Sequence, residues 1–426
     1  MKNKYISILL LIIILSFTLS SCTAGKKDKR KFTGELKILT FKEYEGYFNK
    51  ASEVYREEHR DVKIDIKVID KNNLKNEIKD SIKEGREYDI VSTTNMEVYD
   101  FYNDLEYIHP YVSDFIKDFD NKKLESLKTY GALKVFPMNV EVMGIYYRDD
   151  ILKSMGVTAL DINTWEDLLN LGIKLKEKHG IKLLSANIKG KNSIYSLLIN
   201  QLLTNYRDKD RKVTLASEES IKALNLIKKL KDLDLINIIP EEEDGEEDFF
   251  KGETLSFIGS NRSIEKIKNL VKDNNYNEKI VMNKIPAFEP GGNRSVISIT
   301  SDIGVMNNAK NKELAKDFIK TLLTDKVVLI EGITNNYMLP LYKPIYFNDS
   351  IDKSIDFLNN DKVLRRFEYT SRDAYMREVD NMYKEIDKFI GGNILEVIKN
   401  KDIKNNIKDY EKKLNETIYE KEIPLR

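Results

Sequence analysis

The chain has 426 residues, 41% of them hydrophobic and 33% charged, and its 70 basic side chains balance its 70 acidic ones. That composition excludes a disordered polyelectrolyte, a collagen-like repeat and a multi-spanning membrane protein. The length suits two domains, each able to bury its own core, and the zero net charge argues against a general nucleic-acid binder, which needs a clustered basic face.

At the N-terminus, Lys2 and Lys4 precede an apolar run over residues 6–17. The run is too short for the roughly 20 residues that span a bilayer as a helix. A basic start, a short apolar stretch and small residues after it describe a secretory signal peptide over residues 1–21. Leu19-Ser20-Ser21-Cys22 resembles a bacterial lipobox. That resemblance implies lipidation at Cys22 and a chain held by its lipid at the outer face of the cytoplasmic membrane; an ordinary signal peptide with an unmodified cysteine is the alternative. Cys22 is the sole cysteine, so the folded part has no disulfide, no thiolate zinc site and no cysteine nucleophile. Residues 22–32 read as a basic tether, either drawn to anionic lipid or simply solvated.

From residue 35 the pattern alternates strand and helix. Leu36, Ile38 and Phe41 mark a first strand. Tyr47, Phe48, Ala51, Val54 and Tyr55 recur at helical spacing. Val62, Ile64, Ile66 and Val68 alternate with Lys63, Asp65 and Lys67 as a half-buried strand. Leu74, Ile78 and Ile82 form the next helical stripe, and residues 88–91 a third strand. This succession predicts a parallel α/β sheet, whose ligands sit beyond the carboxyl ends of the strands. Residues 41–44 and 92–95 stand at those ends, so Phe41, Glu43, Tyr44, Thr94 and Asn95 are rim candidates; a helix-capping role is the alternative for Thr94 and Asn95. Further helical stripes cover 168–175, 193–203 and 218–230. Seven acids in eight positions at 241–248 read as a solvated loop, with calcium binding as the other reading. Residues 354–420 are charged and helix-rich. No repeat and no long flexible linker interrupts the chain.

Three segments carry a family resemblance. Residues 136–149 read F-P-M-N-V-E-V-M-G-I-Y-Y-R-D; residues 163–169 read N-T-W-E-D-L-L; residues 312–323 read K-E-L-A-K-D-F-I-K-T-L-L, followed by N-Y-M-L-P at 336–340. In order and spacing these are similar to extracellular solute-binding proteins of ABC importers, above all the sugar-binding, maltose-binding-protein-like group. The resemblance implies a two-lobed α/β clamp of the periplasmic-binding-protein type, each lobe a mostly parallel sheet flanked by helices, joined by interlobe crossover strands. Lobe one would comprise 33–142 and 293–341, and lobe two 143–292 and 342–426. Hinge closure would capture a small polar solute, a carbohydrate or sugar-like compound, for ABC permease subunits. No cofactor, metal or nucleic acid is expected, and a monomer is.

The resemblance also nominates residues. Glu141 matches a crossover acid that bonds sugar hydroxyls, a hinge ion pair being its alternative role. Arg262 stands where the family commonly has a stacking tryptophan; that departure points to a polar and even acidic solute. Asn187, Asn261, Asp302, Asn336 and Tyr337 align near the cleft. Two rival readings are an exported carbohydrate-active enzyme, which would need two acids at a fixed separation, and a lipoprotein presenting ligand to a membrane sensor. His59, His109 and His179 lie far apart, and no nucleophile, metalloprotease or phosphate-loop motif appears, so an enzyme is not expected.

Overall fold

The computed structural model describes residues 31–422 except 129–130, 191–192 and 241–244. The signal sequence, Cys22, the tether as far as Arg30 and the first half of the acidic run lie outside the described residues. Among those described, no helix is long and apolar enough to cross a membrane.

The strands are β1 (Gly34–Phe41), β2 (Val62–Ile69), β3 (Ile90–Thr94), β4 (Val135–Arg148) and β5 (Lys182–Asn187). They continue with β6 (Ile236–Ile239), β7 (Thr254–Ser260), β8 (Ile280–Lys284) and β9 (Ile297–Val305). The helices that frame them begin with α1 (Glu45–Glu58), α2 (Leu74–Lys83), α3 (Trp165–His179), α4 (Ile194–Gln201), α5 (Glu218–Asp232) and α6 (Glu246–Phe250). They continue with α7 (Ser263–Asp273), α8 (Lys312–Thr324), α9 (Lys326–Asn336), α10 (Val363–Asp373), α11 (Tyr383–Lys399) and α12 (Ile403–Glu422), beside three short helices at His109–Val112, Asn121–Ser126 and Asp149–Ser154.

The first sheet has the order β2-β1-β3-β9-β4. β1 runs parallel to β2 and β3, while β9 is antiparallel to both β3 and β4. β2 is an edge strand, and the exposed Lys63, Asp65 and Lys67 keep that edge hydrated. The third strand starts two residues later than the periodicity predicts. Asp89 is withdrawn from it because its carboxylate accepts from the backbone of Lys37 at 2.9 Å and of Lys310 at 2.9 Å. Residues 92–94 are therefore strand, and fully buried, rather than a rim loop.

β4 joins the two halves. Its Val135–Val142 stretch pairs with β9, and from Met143 onward it pairs with β7 and β8. All of its residues but Arg148 are buried. At Gly144 a Cβ would meet Met282 Sδ at 3.0 Å and Phe367 at 3.1 Å, so only glycine lets the strand pass here without displacement. The second sheet has the order β8-β4-β7-β5-β6, with β5 parallel to both β6 and β7. Each sheet thus has four strands running one way and a single reversed strand, β9 in the first and β4 in the second.

Apolar packing forms two clusters. One fills the first sheet under α1, α8 and α9 and continues through α10 onto Tyr146, Phe257 and Phe367. The other lies among α3, α4, α5 and α11. Within the stretch 342–426, residues 345–376 join the first cluster and 382–418 the second, so that stretch serves both halves. The start of α3 is a reciprocal cap: Thr164 Oγ1 accepts from Asp167 N, and Asp167 Oδ2 accepts from Thr164 N at 2.8 Å. Trp165 is buried beside it, its Nε1 donating to Gln201 Oε1 at 3.0 Å.

Candidate functional site

Parallel β5, β6 and β7 end together, and ligands of such sheets sit past those ends. A cavity of about 240 Å³ lies there. Ser185, Ala186 and Asn187 of β5 and Ile258, Gly259 and Ser260 of β7 line it, with Glu141 and Met143 of β4. Glu246 of α6 and Arg262, Ser263 and Lys266 at the start of α7 complete the polar wall.

The electrostatics of this cavity favour a donor-bearing guest. Glu141 is 9% exposed, and its Oε2 accepts from Ser260 Oγ at 3.3 Å. It makes no ion pair among the described residues, so the hinge ion pair considered for it is absent there. Asn187 Oδ1 is buried without a partner among the described residues, and an unmet buried acceptor is costly. Glu246 is balanced by Lys266 at 3.8 Å. Glu141 and Asn187 therefore offer acceptors to a guest, beside the Lys266 ammonium. No aromatic ring lines the cavity among the described residues.

Arg262 does not point its charge into free space. Its guanidinium lies over the Tyr44 ring, 5.2 Å from the centroid. Nη1 donates to the Asn336 carbonyl, and Nη2 lies 3.6 Å from Glu265. The expectation that it pairs with an acidic solute therefore meets a side chain already engaged by the protein.

Several other candidates turn out to be internal ties. Phe41 is fully buried in the first core with Lys71 Nζ 5.5 Å from its ring, so it is not a rim platform. Tyr44 is also fully buried, its hydroxyl donating to Ser301 at 2.6 Å. Glu43 pairs with Lys71 at 2.5 Å. Burial opposes the charge on Lys71, but Tyr44, Glu141 and Glu43 outweigh it and raise the pKa. Thr94 Oγ1 accepts from Met96 N and Glu97 N, the capping role. Asn95 Oδ1 accepts from Thr300 N.

Asn261 spends both ends of its amide, accepting from Val142 N at 2.9 Å and donating to the Tyr337 carbonyl at 2.8 Å. Asn336 Nδ2 donates to the Glu43 carbonyl, and Tyr337 closes α9 with a left-handed φ of 52°. Asp302 is fully buried and outside the cavity lining. One of its oxygens accepts from Thr300 Oγ1 and the other has no partner among the described residues. Burial, with Glu97 nearby, pushes its pKa up to about 8. Of the twelve ligand-contact candidates, the structure gathers Glu141, Asn187 and Arg262 around the cavity.

Sequence reasoning missed Ser185, Glu246 and Lys266. Glu246 was grouped with a solvated acidic run, yet it is 4% exposed and begins α6. The signal available was the apolar Phe249-Phe250 pair one turn later, which marks an anchored helix rather than a loop. The histidines do not converge. His59 accepts from Phe32 N and faces Asp317, and His179 lies against Ser154.

Residues 40–328 match the family model of the bacterial extracellular solute-binding proteins. The arabinooligosaccharide-binding protein of Bacillus subtilis is 23% identical over 336 residues, 75% of this chain and 76% of that protein. The sugar-binding protein MalE of Xanthomonas citri aligns with a TM-score of 0.76 at 14% identity, covering 91% of this chain and 98% of that one. An ABC substrate-binding protein of Listeria monocytogenes in complex with cycloalternan aligns at 0.73 and 15% identity, covering 91% and 99%. These relatives are solute-binding proteins, not enzymes.

Proposed function

The chain belongs to the family of bacterial extracellular solute-binding proteins, and from that premise we propose that it captures a neutral, hydroxyl-rich carbohydrate between its lobes and hands it unaltered to an ABC permease. The observation that carries this reading is the pair of acceptors, Glu141 and the unpartnered Asn187 Oδ1, facing one cavity at the strand ends. Carbohydrate hydroxyls donate to such groups, and a carboxylate acceptor makes the stronger, charge-assisted bond. The oligosaccharides named for the relatives support the class of solute. An acidic sugar would set its own charge beside Glu141, while Arg262 is engaged elsewhere.

The change of partner in β4 between Val142 and Met143 supports a division into lobe one at 33–142 and 293–341 and lobe two at 143–292, with 342–426, assigned to lobe two by the resemblance, packing on both. Capture then works by hinge closure about the crossover, burying solute from both sides. Lipidation of Cys22 would hold the clamp at the outer face of the cytoplasmic membrane. In a Triton X-114 partition the full-length chain made in a bacterial host is expected in the detergent phase and its Cys22→Ala variant in the aqueous phase; equal partition of the two would refute the anchor.

A melting screen with arabino- and maltooligosaccharides, polyols, uronates and sugar phosphates tests the function. A neutral sugar present at about a hundred times its Kd stabilises the folded state by roughly 2.7 kcal/mol. The reading expects at least one neutral oligosaccharide to raise Tm and the uronates to leave it unchanged. A shift with the uronates or phosphates alone, or with none of the compounds, contradicts it.

A further inference from the structure

The contact between Arg262 and Tyr44 crosses from one lobe to the other. Arg262 caps the start of α7, two residues after β7 of the second sheet, and its backbone N–H donates to Ser260 Oγ at 3.1 Å. Its guanidinium reaches two groups of the first lobe. One is the ring of Tyr44, which is anchored to β9 through Ser301; the other is the carbonyl of Asn336 at the end of α9. Asn261, one residue earlier, bridges the crossover at Val142 and the Tyr337 carbonyl. We propose that Arg262 is a latch, a positioning residue that holds the lobes together through protein atoms alone, instead of a platform on which the solute stacks.

The chemistry suits a latch. A planar guanidinium lies on an aromatic face and still directs its N–H groups sideways at a carbonyl, which a lysine ammonium does less well. Tyr44 and Asn336 are held by their own hydrogen bonds, so the receiving surface is rigid. The Arg262 side chain is 12% exposed, which weakens the competition from water for these contacts. Every atom of the latch belongs to the chain, so its contribution to closure does not depend on solute. Binding affinity then includes the latch, because solute completes a closure that Arg262 already favours.

The inference rests on the clamp reading, and its test uses no solute. Spin labels at Glu53→Cys on α1 and Glu177→Cys on α3, in the full chain carrying Cys22→Ala, report the separation of the lobes by pulsed electron resonance. Arg262→Ala is expected to lower the ratio of closed to open molecules about tenfold, the size of a lost cation–π contact with its charge-assisted hydrogen bond. Arg262→Lys, which keeps charge but not the planar fork, falls between, and Arg262→Glu opens the lobes furthest by repulsion from the Asn336 carbonyl and the face of the Tyr44 ring. Separations that superimpose on the unsubstituted chain for all three variants overturn the latch. That failure leaves solute capture standing, and a sugar screen with no binder leaves this result standing.

Discussion

Glu141→Ala is expected to weaken solute binding by on the order of a hundredfold, from the loss of about two hydrogen bonds to a charged acceptor at ~1.5 kcal/mol each. Glu141 is nine-tenths buried, hydrogen-bonded at 3.3 Å to Ser260 and to no other side chain among the described residues, and faces the cavity from the strand that joins the lobes. Its carboxylate therefore has capacity for a guest. Glu141→Gln keeps the shape and one acceptor while removing the charge, so its loss falls between the two. Calorimetry with the neutral oligosaccharide that most stabilises the protein measures both. A loss below about threefold for the alanine variant would take Glu141 out of the site. The melting temperature without added sugar is expected to move little, because no ion pair is broken; a large drop would return Glu141 to a structural role.

Tyr146→Ala carries the second large effect, on stability. Tyr146 follows the point where β4 enters the second sheet, and its fully buried ring stacks on Phe257 at 5.0 Å with an interplanar angle of 8°. Its hydroxyl donates to the Ser260 carbonyl at 2.9 Å. Phe249 and Phe367 border the same rings, so the neighbourhood has little freedom to collapse. Truncating a buried aromatic side chain here costs about 3–5 kcal/mol, and Tyr146→Phe, which removes the hydroxyl, about 1 kcal/mol. Urea unfolding distinguishes them. Equal costs for the two variants would mean that the hydroxyl, and not the ring packing, secures this junction.

How much of this was legible in the sequence depended on the kind of interaction. The β1-α1-β2-α2-β3 run could be read because Val62, Ile64 and Ile66 alternate with charges, and Leu74 and Ile78 recur at helical spacing; backbone periodicity writes itself locally. The one reversed strand in each sheet could not. The pairing of β9 with β3 joins residues 207 to 215 positions apart, and a buried strand is apolar whichever way it runs. The crossover at 136–149 was recognised by its resemblance to a family, since a fourteen-residue buried strand has no pattern that tells it apart from any other.

Polar residues divided for a related reason. Thr94 and Asn261 are suitable ligand donors and acceptors by type, but each is consumed by backbone groups, and Asn336 spends its amide nitrogen on a distant carbonyl while its Oδ1 has no partner among the described residues. Asn261 meets a carbonyl 76 positions away. Sequence supplies the hydrogen-bonding inventory, and only the fold assigns partners. Arg262 shows the same limit: its type suggested an anionic solute, while its position across the seam engages it with Tyr44 and Asn336. Glu246 was hidden in the opposite way, as a charge among charges whose burial no local pattern announced.

Small-angle scattering of the unsubstituted chain, with and without the oligosaccharide that most raises its melting temperature, is the direct check on capture by closure. The account predicts a smaller radius of gyration and a shorter maximum dimension on saturation, with the Glu141→Ala profile unchanged at the same sugar concentration. Superimposable curves for the free and the sugar-saturated protein would contradict it.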